Sequence, residues 1–553
     1  MTATEPPASP KLPALDRRSL LKAGLLGSGL LAAPLSASQP GRGFTHGVAS
    51  GEPGPDRVLL WTRFQADQDT PLEFEVSDSV DFTRKIAGGS IAARAENDWC
   101  CKTFAKGLEP AQSYYFRFIA PDGSISDIGR TRTLPEGPAD RFRMAVFSCA
   151  NIGFGWFNAY AHAAADGNFD CVLHLGDYFY EYAPGTYPST DETVSGRSVW
   201  PSHELVALAD YRERYAAYRQ DPDLRRLHQL FPMIAVWDDH ESANDSWEGG
   251  AENHQPDSEG EWSVRKAAAM KAYREWMPVS DEPWAEYEVG DLATLYRLET
   301  RLTARAKQFS LGDVLRGGSS PEEAKAALIA FRDGDYRDPA RELLGSAQQG
   351  WLAEGFSRSK AAGKTWQVLV QQVLMGNLVS SPSLAAALPK DAPDYIRQRV
   401  LAGAMAGAEG VPFSMDAWDG YPAARRRVFE AALSADANLI SLAGDTHNAW
   451  AFDLDLEGTP VGVEFGGQSV TSPGFEGYLP QVPPDVLARD AVATNAQLQW
   501  MDSSRRGYMA VELTPGSATS EYRFLGSVRE KGAGVVATKR MTTLAGSRKL
   551  DMG

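Results

Sequence analysis

Residues 169–180 have the sequence FDCVLHLGDYFY, a short aliphatic run that ends abruptly on a carboxylate and a phenol. Four other runs have the same form, being rich in β-branched and aliphatic residues and ending on side chains that bind metals. They are RFRMAVFSC at 141–149, PMIAVWDDHE at 232–241, WQVLVQQV at 366–373 and ANLISLAGDTH at 437–447. Such runs are typical of the buried strands of an α/β sheet. Because ligands bind beyond the carboxyl ends of such strands, the pattern predicts one crevice into which all five strands point metal-binding groups.

The side chains at these strand ends suit a metal ion of high positive charge. They include Cys149, Asp177, Tyr180 and His447. A tyrosine ligand must lose a proton whose reference pKa is about 10, which costs roughly 2.7 kcal/mol at pH 8, and a trivalent cation offsets this cost more readily than a divalent one. A thiolate adds a second anion at a smaller cost. The set therefore favours Fe3+ over Zn2+ or Mg2+, although Tyr180 taken alone would be interpreted as a packed aromatic residue.

The motifs SCAN, GDYFY, WDDHE and GDTH at the strand ends resemble those of the PhoD-like alkaline phosphatases and phosphodiesterases. These enzymes are relatives of the purple acid phosphatases within the calcineurin-like metallophosphoesterases. The resemblance extends from HGVASGEP and VLLWTR near the N-terminus to EFGGQSVTS near the C-terminus. It implies an α/β fold, a metallophosphoesterase-type α/β sandwich, preceded by an N-terminal immunoglobulin- or fibronectin-like β-sandwich domain. It also implies a site that holds Fe3+ and Ca2+.

The resemblance implies seven metal ligands, all close to the ends of predicted strands: Cys149, Asp177, Tyr180, Asp239, Gln372, Asp445 and His447. In the implied arrangement Cys149, Tyr180 and His447 bind iron, and Asp177 bridges the two metals at the centre of catalysis. The other three bind calcium through oxygen atoms. Carboxylates in place of the nitrogen and amide donors of purple acid phosphatases agree with calcium as the second ion.

Three residues are expected to contact the substrate. His240 directly follows a metal ligand and is expected to donate a hydrogen bond to the phosphate or a proton to the leaving group; the alternative is that it only orients Asp239. Asn244 lies close to this cluster. Arg301 ends the motif LETR and would clamp the phosphate, but Glu299 stands where the family more often has Asp. A structural ion pair is therefore the alternative for Arg301.

The function implied is that of a secreted, metal-dependent phosphoric ester hydrolase of the alkaline phosphatase type. The substrate would be a phosphate monoester or diester, and the sequence does not distinguish the two. One alternative is a phosphodiesterase or phospholipase D-type hydrolase of lipid or polymer phosphodiesters. A non-enzymatic alternative is a phosphate-binding surface protein, since β-sandwich modules often serve adhesion.

Length, charge and cysteine content exclude several classes of protein. With 553 residues the chain is too long for one small core, and its formal net charge of −17 argues against binding nucleic acid through a basic surface. Four cysteines are too few for a disulfide scaffold. After the N-terminal segment, no run approaches the roughly 20 apolar residues of a transmembrane helix.

The chain is predicted to divide into four segments. The pair Arg17-Arg18, followed by the apolar run AGLLGSGLLAAPL, resembles a twin-arginine export signal. The alternatives are an amphipathic N-terminus without a targeting role and an ordinary secretory signal. We therefore expect the chain to use the twin-arginine translocation machinery and to be periplasmic or secreted. The predicted segments are 1–38 for this signal, 43–135 for the β-sandwich, 141–525 for the metallophosphatase catalytic domain and 526–553 for a loosely held C-terminal tail.

Within the catalytic domain, apolar periodicity predicts three helices. The first is expected to begin near Ser202 as an N-cap, and the others cover 261–277 and 321–334. The weak periodicity of 281–345 predicts an insertion near the pocket.

Overall fold

Two β-sheets stacked face to face form the centre of the computed structural model, which describes residues 42–316, 320–381 and 394–552. The predicted export signal at 1–38 lies outside the described residues. One sheet has ten strands and the other has seven.

The strands are β1 Gly43–Gly51, β2 Arg57–Gln65, β3 Thr70–Ser77, β4 Lys85–Ala93, β5 Cys100–Lys106, β6 Ser113–Ile119, β7 Gly129–Arg132, β8 Phe142–Phe147, β9 Cys171–His174, β10 Pro232–Ala235, β11 Ala285–Val289, β12 Ala293–Arg297, β13 Trp366–Val370, β14 Leu439–Ala443, β15 Ala449–Leu456, β16 Thr459–Gly466, β17 Leu498–Asp502, β18 Gly507–Leu513, β19 Ser517–Leu525, β20 Val535–Leu544 and β21 Leu550–Asp551. The α-helices are α1 Asn158–Asp166, α2 Leu208–Tyr218, α3 Pro222–Leu230, α4 Pro256–Glu259, α5 Trp262–Trp276, α6 Leu311–Leu315, α7 Pro321–Asp333, α8 Gly345–Ala361, α9 Asp394–Ala408, α10 Pro422–Ser434, α11 Phe475–Tyr478 and α12 Pro484–Thr494. Short 3-10 helices cover Ala95–Asn97, Ile152–Phe154, Asp335–Arg337 and Trp418–Gly420.

The strand order is β21-β20-β19-β18-β8-β9-β10-β1-β2-β5 in the ten-stranded sheet and β11-β12-β13-β14-β16-β15-β17 in the seven-stranded sheet.

All five strands predicted from the apolar runs are confirmed, but they are shared between the two sheets. Strands β8, β9 and β10 are neighbours and parallel in the larger sheet, and β13 and β14 are parallel neighbours in the smaller one. The apolar faces of both sheets meet in one core, to which Val146 and Leu173 contribute from one side and Val368 and Leu442 from the other. The crevice therefore forms where the carboxyl edges of two sheets meet.

Helices cover the outer faces of both sheets, which confirms the α/β sandwich. Helices α1, α2, α3 and α5 pack on the ten-stranded sheet, and α8 and α10 pack on the seven-stranded sheet. The predicted helix at 261–277 corresponds to α5, whose buried Trp262, Ala269, Tyr273 and Trp276 follow helical spacing. These layers bury the strands on both faces, which explains their continuous apolar sequences.

The N-terminal β-sandwich is confirmed, and one of its two sheets continues into the catalytic sheet. Strands β3, β4, β6 and β7 form a separate sheet, which packs on β1, β2 and β5 through residues such as Leu60, Phe74 and Phe116. Strand β1 pairs in parallel with β10, with Ser50 opposite Pro232. Backbone pairing thus joins this domain directly to β10, the strand that precedes WDDHE.

The prediction of a loosely held tail at 526–553 is wrong. Strand β20 pairs with β19 from Leu544 opposite Ser517 to Val535 opposite Leu525, and Met541 is buried. Alternate residues of β20 face solvent, among them the polar Thr538 and the basic Arg540. Their composition suggested a tail, although the period of two is that of a half-buried strand.

Two other predictions inside the catalytic domain also need correction. Helix α2 begins at Leu208 rather than near Ser202, because the Asp210 carboxylate accepts hydrogen bonds from the backbone N–H groups of Val206 and Ala207, at 3.0 and 2.7 Å. The segment 281–345 is not a simple insertion, since its first part forms the β11–β12 hairpin and β12 pairs in parallel with β13.

Two expectations concern the cysteines, which are too few for a disulfide scaffold, and the apolar runs, which are too short for a transmembrane helix. All four cysteines fall within the described ranges, where each is buried and free. Within the same ranges, no helix is both long and apolar enough to span a bilayer.

Candidate metal centre

The predicted metal ligands lie at tight turns directly after the central strands. Four of them have positive φ angles, which are 59° at Cys149, 51° at Asp177, 62° at Asp445 and 65° at His447. This conformation is uncommon for residues other than glycine and tends to cluster at functional sites, where the surrounding structure compensates its cost. Each turn ends a strand abruptly and aims the side chain into the crevice.

A glycine precedes each of the two GD aspartates and allows the strand ends to approach closely. A Cβ atom on Gly176, whose φ is 102°, would lie 2.3 Å from the Asp238 Cβ atom and 2.6 Å from its backbone nitrogen. A Cβ atom on Gly444 would lie 2.6 Å from the Ser148 side chain. The first contact joins the ends of β9 and β10, and the second joins β14 to β8 across the two sheets.

Four predicted ligands converge in the first part of the site. Ligand atoms of Cys149, Asp177 and His447 all lie within 4.8 Å of one another. The Tyr180 hydroxyl is 3.1 Å from Asp177 Oδ2 and 3.1 Å from His447 Nε2, and it accepts a hydrogen bond of 2.8 Å from the Ser472 hydroxyl. All four side chains are buried. Residues that are 298 positions apart in the sequence, from 149 to 447, thus meet at one point.

The orientation of His447 suits metal binding. Its Nδ1 atom lies 2.7 Å from the Pro473 carbonyl oxygen, so Nδ1 carries the proton and donates it to the carbonyl. Nε2 then presents its lone pair to the cluster, as metal-bound histidines with a second hydrogen-bond partner do. Burial lowers the pKa of His447 to about 3, which keeps the ring in the neutral form that binds metals.

A second, more acidic group adjoins the first. Ligand atoms of Asp238, Asp239 and Asp445 lie within 4.8 Å of one another, and so do those of Asp177, Asp239 and His240. Asp177 therefore takes part in both parts of the site, as a bridging residue must. Asp238, which directly precedes the predicted ligand Asp239, also belongs to this group.

The chemistry of these atoms fits a site for cations. Among the described residues, Asp177 Oδ1, Asp238 Oδ2 and Asp239 Oδ1 are buried and have no hydrogen-bond partner. Burial raises the pKa of Asp177, and also that of Asp238, well above the usual range of a carboxyl group, and it raises the pKa of Asp445 to about 7. Buried polar atoms without partners are costly, and multivalent cations would satisfy them and reverse these pKa shifts.

Burial shifts the pKa of the Cys149 thiol and that of the Tyr180 phenol in the same direction. Burial, followed by the nearby Asp177 carboxylate, raises the pKa of Cys149 and that of Tyr180 well above their ordinary values. Both groups are therefore neutral in the protein alone. Their deprotonation requires a strongly charged cation beside them.

Arg301 lies within the acidic group and is completely buried. Its Nη1 atom is 2.8 and 2.7 Å from the two Asp416 oxygens, and Nη2 is 3.2 Å from Asp445 Oδ1. Nε contacts Asp238, and Asp239 Oδ1 is 3.7 Å from Nη2. This geometry favours the structural ion pair over a direct clamp on the phosphate. Asp416, which begins the sequence DAWDGYP at 416–422, is a site residue that sequence reasoning missed.

His240 is held at the mouth of the site by a residue that the sequence did not single out. Its Nδ1 atom lies 2.6 Å from Glu181 Oε2, and its ring centroid is 4.2 Å from that of Tyr180. Glu181 Oε1 accepts hydrogen bonds from the Asn244 backbone N–H and from the Asn253 side chain, both at 2.8 Å. Glu181 follows GDYFY directly, so its position one residue beyond a recognised motif was the available signal.

Asn244 and Gln372 are engaged elsewhere. The Asn244 side chain donates to Glu252 at 3.2 Å, so its link to His240 runs through its backbone and Glu181. Gln372 donates to the Trp237 carbonyl at 2.7 Å and accepts from the Thr300 hydroxyl at 2.6 Å. Gln372, which follows β13, thus links the ends of β10 and β12, and its role as a calcium ligand stays a prediction.

Glu241 is a further residue that the sequence did not reveal. Its carboxylate accepts hydrogen bonds from the backbone N–H groups of Asp177 at 3.1 Å, Asp238 at 2.6 Å and also Tyr178. It thus ties together the turns after β9 and β10. The signal in the sequence was only its position in WDDHE, where the preceding residues appeared to be the ligands.

The chain is similar to known proteins along nearly its whole length. The family model of the PhoD-like phosphatases matches residues 144–522, and that of their N-terminal domain matches residues 30–135. Alkaline phosphatase D of Bacillus subtilis (strain 168) is 33% identical over 530 residues, covering 91% of this chain and 81% of that protein. A solved structure of PhoD superimposes with a TM-score of 0.73 and 29% identity, covering 94% of this chain and 93% of the other.

Proposed function

The chain belongs to the PhoD-like phosphatase family and is a metal-dependent phosphoric ester hydrolase, and we propose that its metals are Fe3+ and Ca2+, held at the ends of the central strands. The observation that carries the proposal is the contact between Tyr180 and the group formed by Cys149, Asp177 and His447. A thiol, a phenol and a carboxyl group around one point suit a trivalent ion.

The calcium part of the site would use Asp239 and Asp445, as the resemblance implies, and also Asp238. Hard oxygen ligands of this kind suit Ca2+. The Arg301 guanidinium lies against the same carboxylates and would limit their mutual repulsion without binding the substrate. Asp177 would bridge both ions, because it belongs to both groups of ligand atoms.

When bound, the metals would neutralise the phosphoryl oxygens and lower the pKa of the attacking water. The protein's own residues contribute by positioning the group that would donate a proton or a hydrogen bond. Glu181 holds Nδ1 of His240, so Nε2 is directed toward the site and can donate a hydrogen bond to the phosphate or a proton to the leaving group. Burial alone would lower the pKa of His240, but the carboxylates of Asp239 and Glu181 outweigh it and raise this pKa well above the ordinary value, so the ring carries the proton that it would donate.

A spectroscopic experiment tests the iron ligands. Ferric phenolate and thiolate ligation should absorb visible light, so Tyr180→Phe should lose or shift that band. Tyr178→Phe is the matched control, because the Tyr178 hydroxyl contacts His228, at 2.8 Å, rather than the candidate ligands. Elemental analysis of the purified protein should find iron and calcium. A colourless, iron-free but active protein would contradict the assignment.

The bridging role of Asp177 has a separate test. Asp177→Asn should lower turnover by at least about 100-fold and reduce the metal content, because loss of a metal ligand costs at least as much as loss of its outer partners. Near-normal turnover with full metal content would show that Asp177 does not bridge the metals.

The choice between monoester and diester substrates remains a proposal. We propose that alkaline phosphatase-type monoester hydrolysis is the main activity, and that phosphodiesterase or phospholipase D-type activity is its alternative. Comparing the hydrolysis of nitrophenyl phosphate with that of bis-nitrophenyl phosphate separates them. A higher kcat/KM for the diester would reverse this order.

Export by the twin-arginine route, to the periplasm or the outside, is also proposed. That pathway carries folded proteins, so iron would bind in the reducing cytoplasm before export. Replacing both arginines of the Arg17-Arg18 pair by lysine should retain the precursor inside the cell with its iron. An iron-free precursor that accumulates there would contradict the order of events.

A further inference from the structure

A cavity of about 230 Å3 lies at the opposite edge of the catalytic sheet from the metal centre. Three arginines line it: Arg130, Arg132 and Arg141. We call it the distal arginine pocket. It lies between the β6–β7 hairpin of the N-terminal domain and the turns that lead into β8, β9 and β10, with Phe169 and Phe231 as its aromatic lining.

Its positive charge is only partly compensated. Arg132 Nε is 3.1 Å from Asp170 Oδ1. Arg141 Nη1 lies 4.0 Å from Glu512 Oε2, and the same oxygen is 3.5 Å from Arg143 Nε. In the described part of the chain, no carboxylate lies within ion-pair distance of Arg130. Counting Asp170 against the three pocket arginines leaves an excess of two positive charges, in a protein whose formal net charge is −17.

The guanidinium groups are held in place by contacts that leave donors available. Arg130 Nε donates to the Leu230 carbonyl at 3.2 Å, and its guanidinium lies 5.2 Å from the centre of the Phe231 ring. Arg132 Nη1 donates to the Ser113 hydroxyl at 3.3 Å. The neighbouring arginines Arg132 and Arg226 add to burial in lowering the pKa of Arg130. An anion between these groups would relieve that repulsion.

The pocket is separate from the metal centre. Arg141 directly precedes β8, while Cys149 follows the same strand. Strand β8 has six residues, which at about 3.3 Å each separates its two ends by ~20 Å. A ligand in the pocket would therefore not touch the metals or the residues around them.

We propose that the distal arginine pocket binds a phosphate group, either as inorganic phosphate or as a phosphate ester. Arginine guanidinium groups bind phosphate oxygens through paired hydrogen bonds. The excess of two positive charges would balance the charge of a phosphate dianion. Hydrolysis of a monoester, the main activity proposed above, would release inorganic phosphate, and hydrolysis of a diester would release a phosphate monoester, so either reaction would supply a phosphate group. The inference depends on the pocket alone and not on the identity of the metals.

Binding to the metal-loaded enzyme tests the proposal. Calorimetric titration with inorganic phosphate should reveal a class of site besides the metal centre. Arg141→Gln should weaken that class by roughly tenfold, as expected for losing a hydrogen bond from a charged group, while leaving phosphate inhibition of turnover unchanged. The Arg141 side chain is 52% exposed, so this variant should fold. Arg130→Gln should have at least as large an effect.

Two controls complete the experiment. Arg84→Gln removes an arginine that is 70% exposed, on another part of the N-terminal domain. This variant should bind phosphate like the unmodified protein. Phenylphosphonate, which cannot be hydrolysed as an ester, distinguishes the sources: binding equal to that of phosphate supports an ester ligand, and absence of binding supports inorganic phosphate. The proposal is overturned if phosphate binds at the metal centre only, or if Arg141→Gln and Arg130→Gln both bind phosphate like the unmodified protein.

Discussion

Replacing Gly176 by alanine tests whether the close approach of two strand ends builds the site. Gly176 has a φ of 102°, and an added Cβ atom would lie 2.3 Å from the Asp238 Cβ atom. A left-handed backbone costs an alanine about 1–2 kcal/mol. Relieving the overlap adds about 1–3 kcal/mol, as for other overpacked sites. The free energy of unfolding should therefore fall by about 2–5 kcal/mol.

Gly107→Ala is the matched control. Gly107 also has a positive φ, of 74°, but an added Cβ atom would meet nothing within 4 Å. This variant should show only the backbone cost, so the two variants should differ by about 1–3 kcal/mol. Urea denaturation of the metal-loaded proteins measures both values.

The Gly176 variant should also lose activity, because the overlap can be relieved only by moving Asp177 or Asp238. A displacement of about 1 Å in an active site can reduce turnover by roughly 100-fold. Gly107→Ala should keep full turnover and metal content. The reasoning is refuted if the two variants lose equal stability, or if Gly176→Ala retains its metals and its activity.

Two further outcomes are expected. Burial raises the pKa of Glu464 from 4.5 to about 7, so the folded protein binds this proton more tightly than the unfolded chain, and its contribution to stability is lost as pH rises from 4.5 to 7. Relative to Glu464→Gln, the unmodified protein should lose roughly 3 kcal/mol of unfolding free energy over that interval in urea titrations; equal pH slopes would contradict this. Glu181→Gln should lower kcat by about 10–100-fold by releasing His240, whereas Glu192→Gln on the surface should not change it, and an unchanged kcat in Glu181→Gln would remove the positioning role.

Local patterns carried most of the fold prediction. Apolar runs predicted the five central strands, and helical spacing predicted α5, because burial on both faces of a strand or on one face of a helix leaves its mark on adjacent residues. Strand β20 pairs with β19 through its backbone, and its period of two is obscured by the polar and basic residues Thr538, Lys539 and Arg540 at its centre. It was therefore mistaken for a tail.

The candidate site was predictable where a side chain ends a strand, as with Cys149 and Asp177. It was not predictable where a residue acts by contact with another part of the chain. Asp416 reaches Arg301 across 115 residues, and Glu241 binds the backbone of the turn at Asp177, 64 residues away. No local periodicity records such contacts.

By itself, the amino-acid sequence determined the strands, the groups placed at their carboxyl ends and the enzyme family, because these depend on local burial and on short motifs. Only the tertiary structure decided that the strands belong to two stacked sheets and that Asp177 takes part in both groups of ligand atoms. It also decided that Arg301 is enclosed by carboxylates and that Gln372 braces the sheets. These features depend on distances between residues that are remote in the sequence, and such distances exist only once the chain has packed.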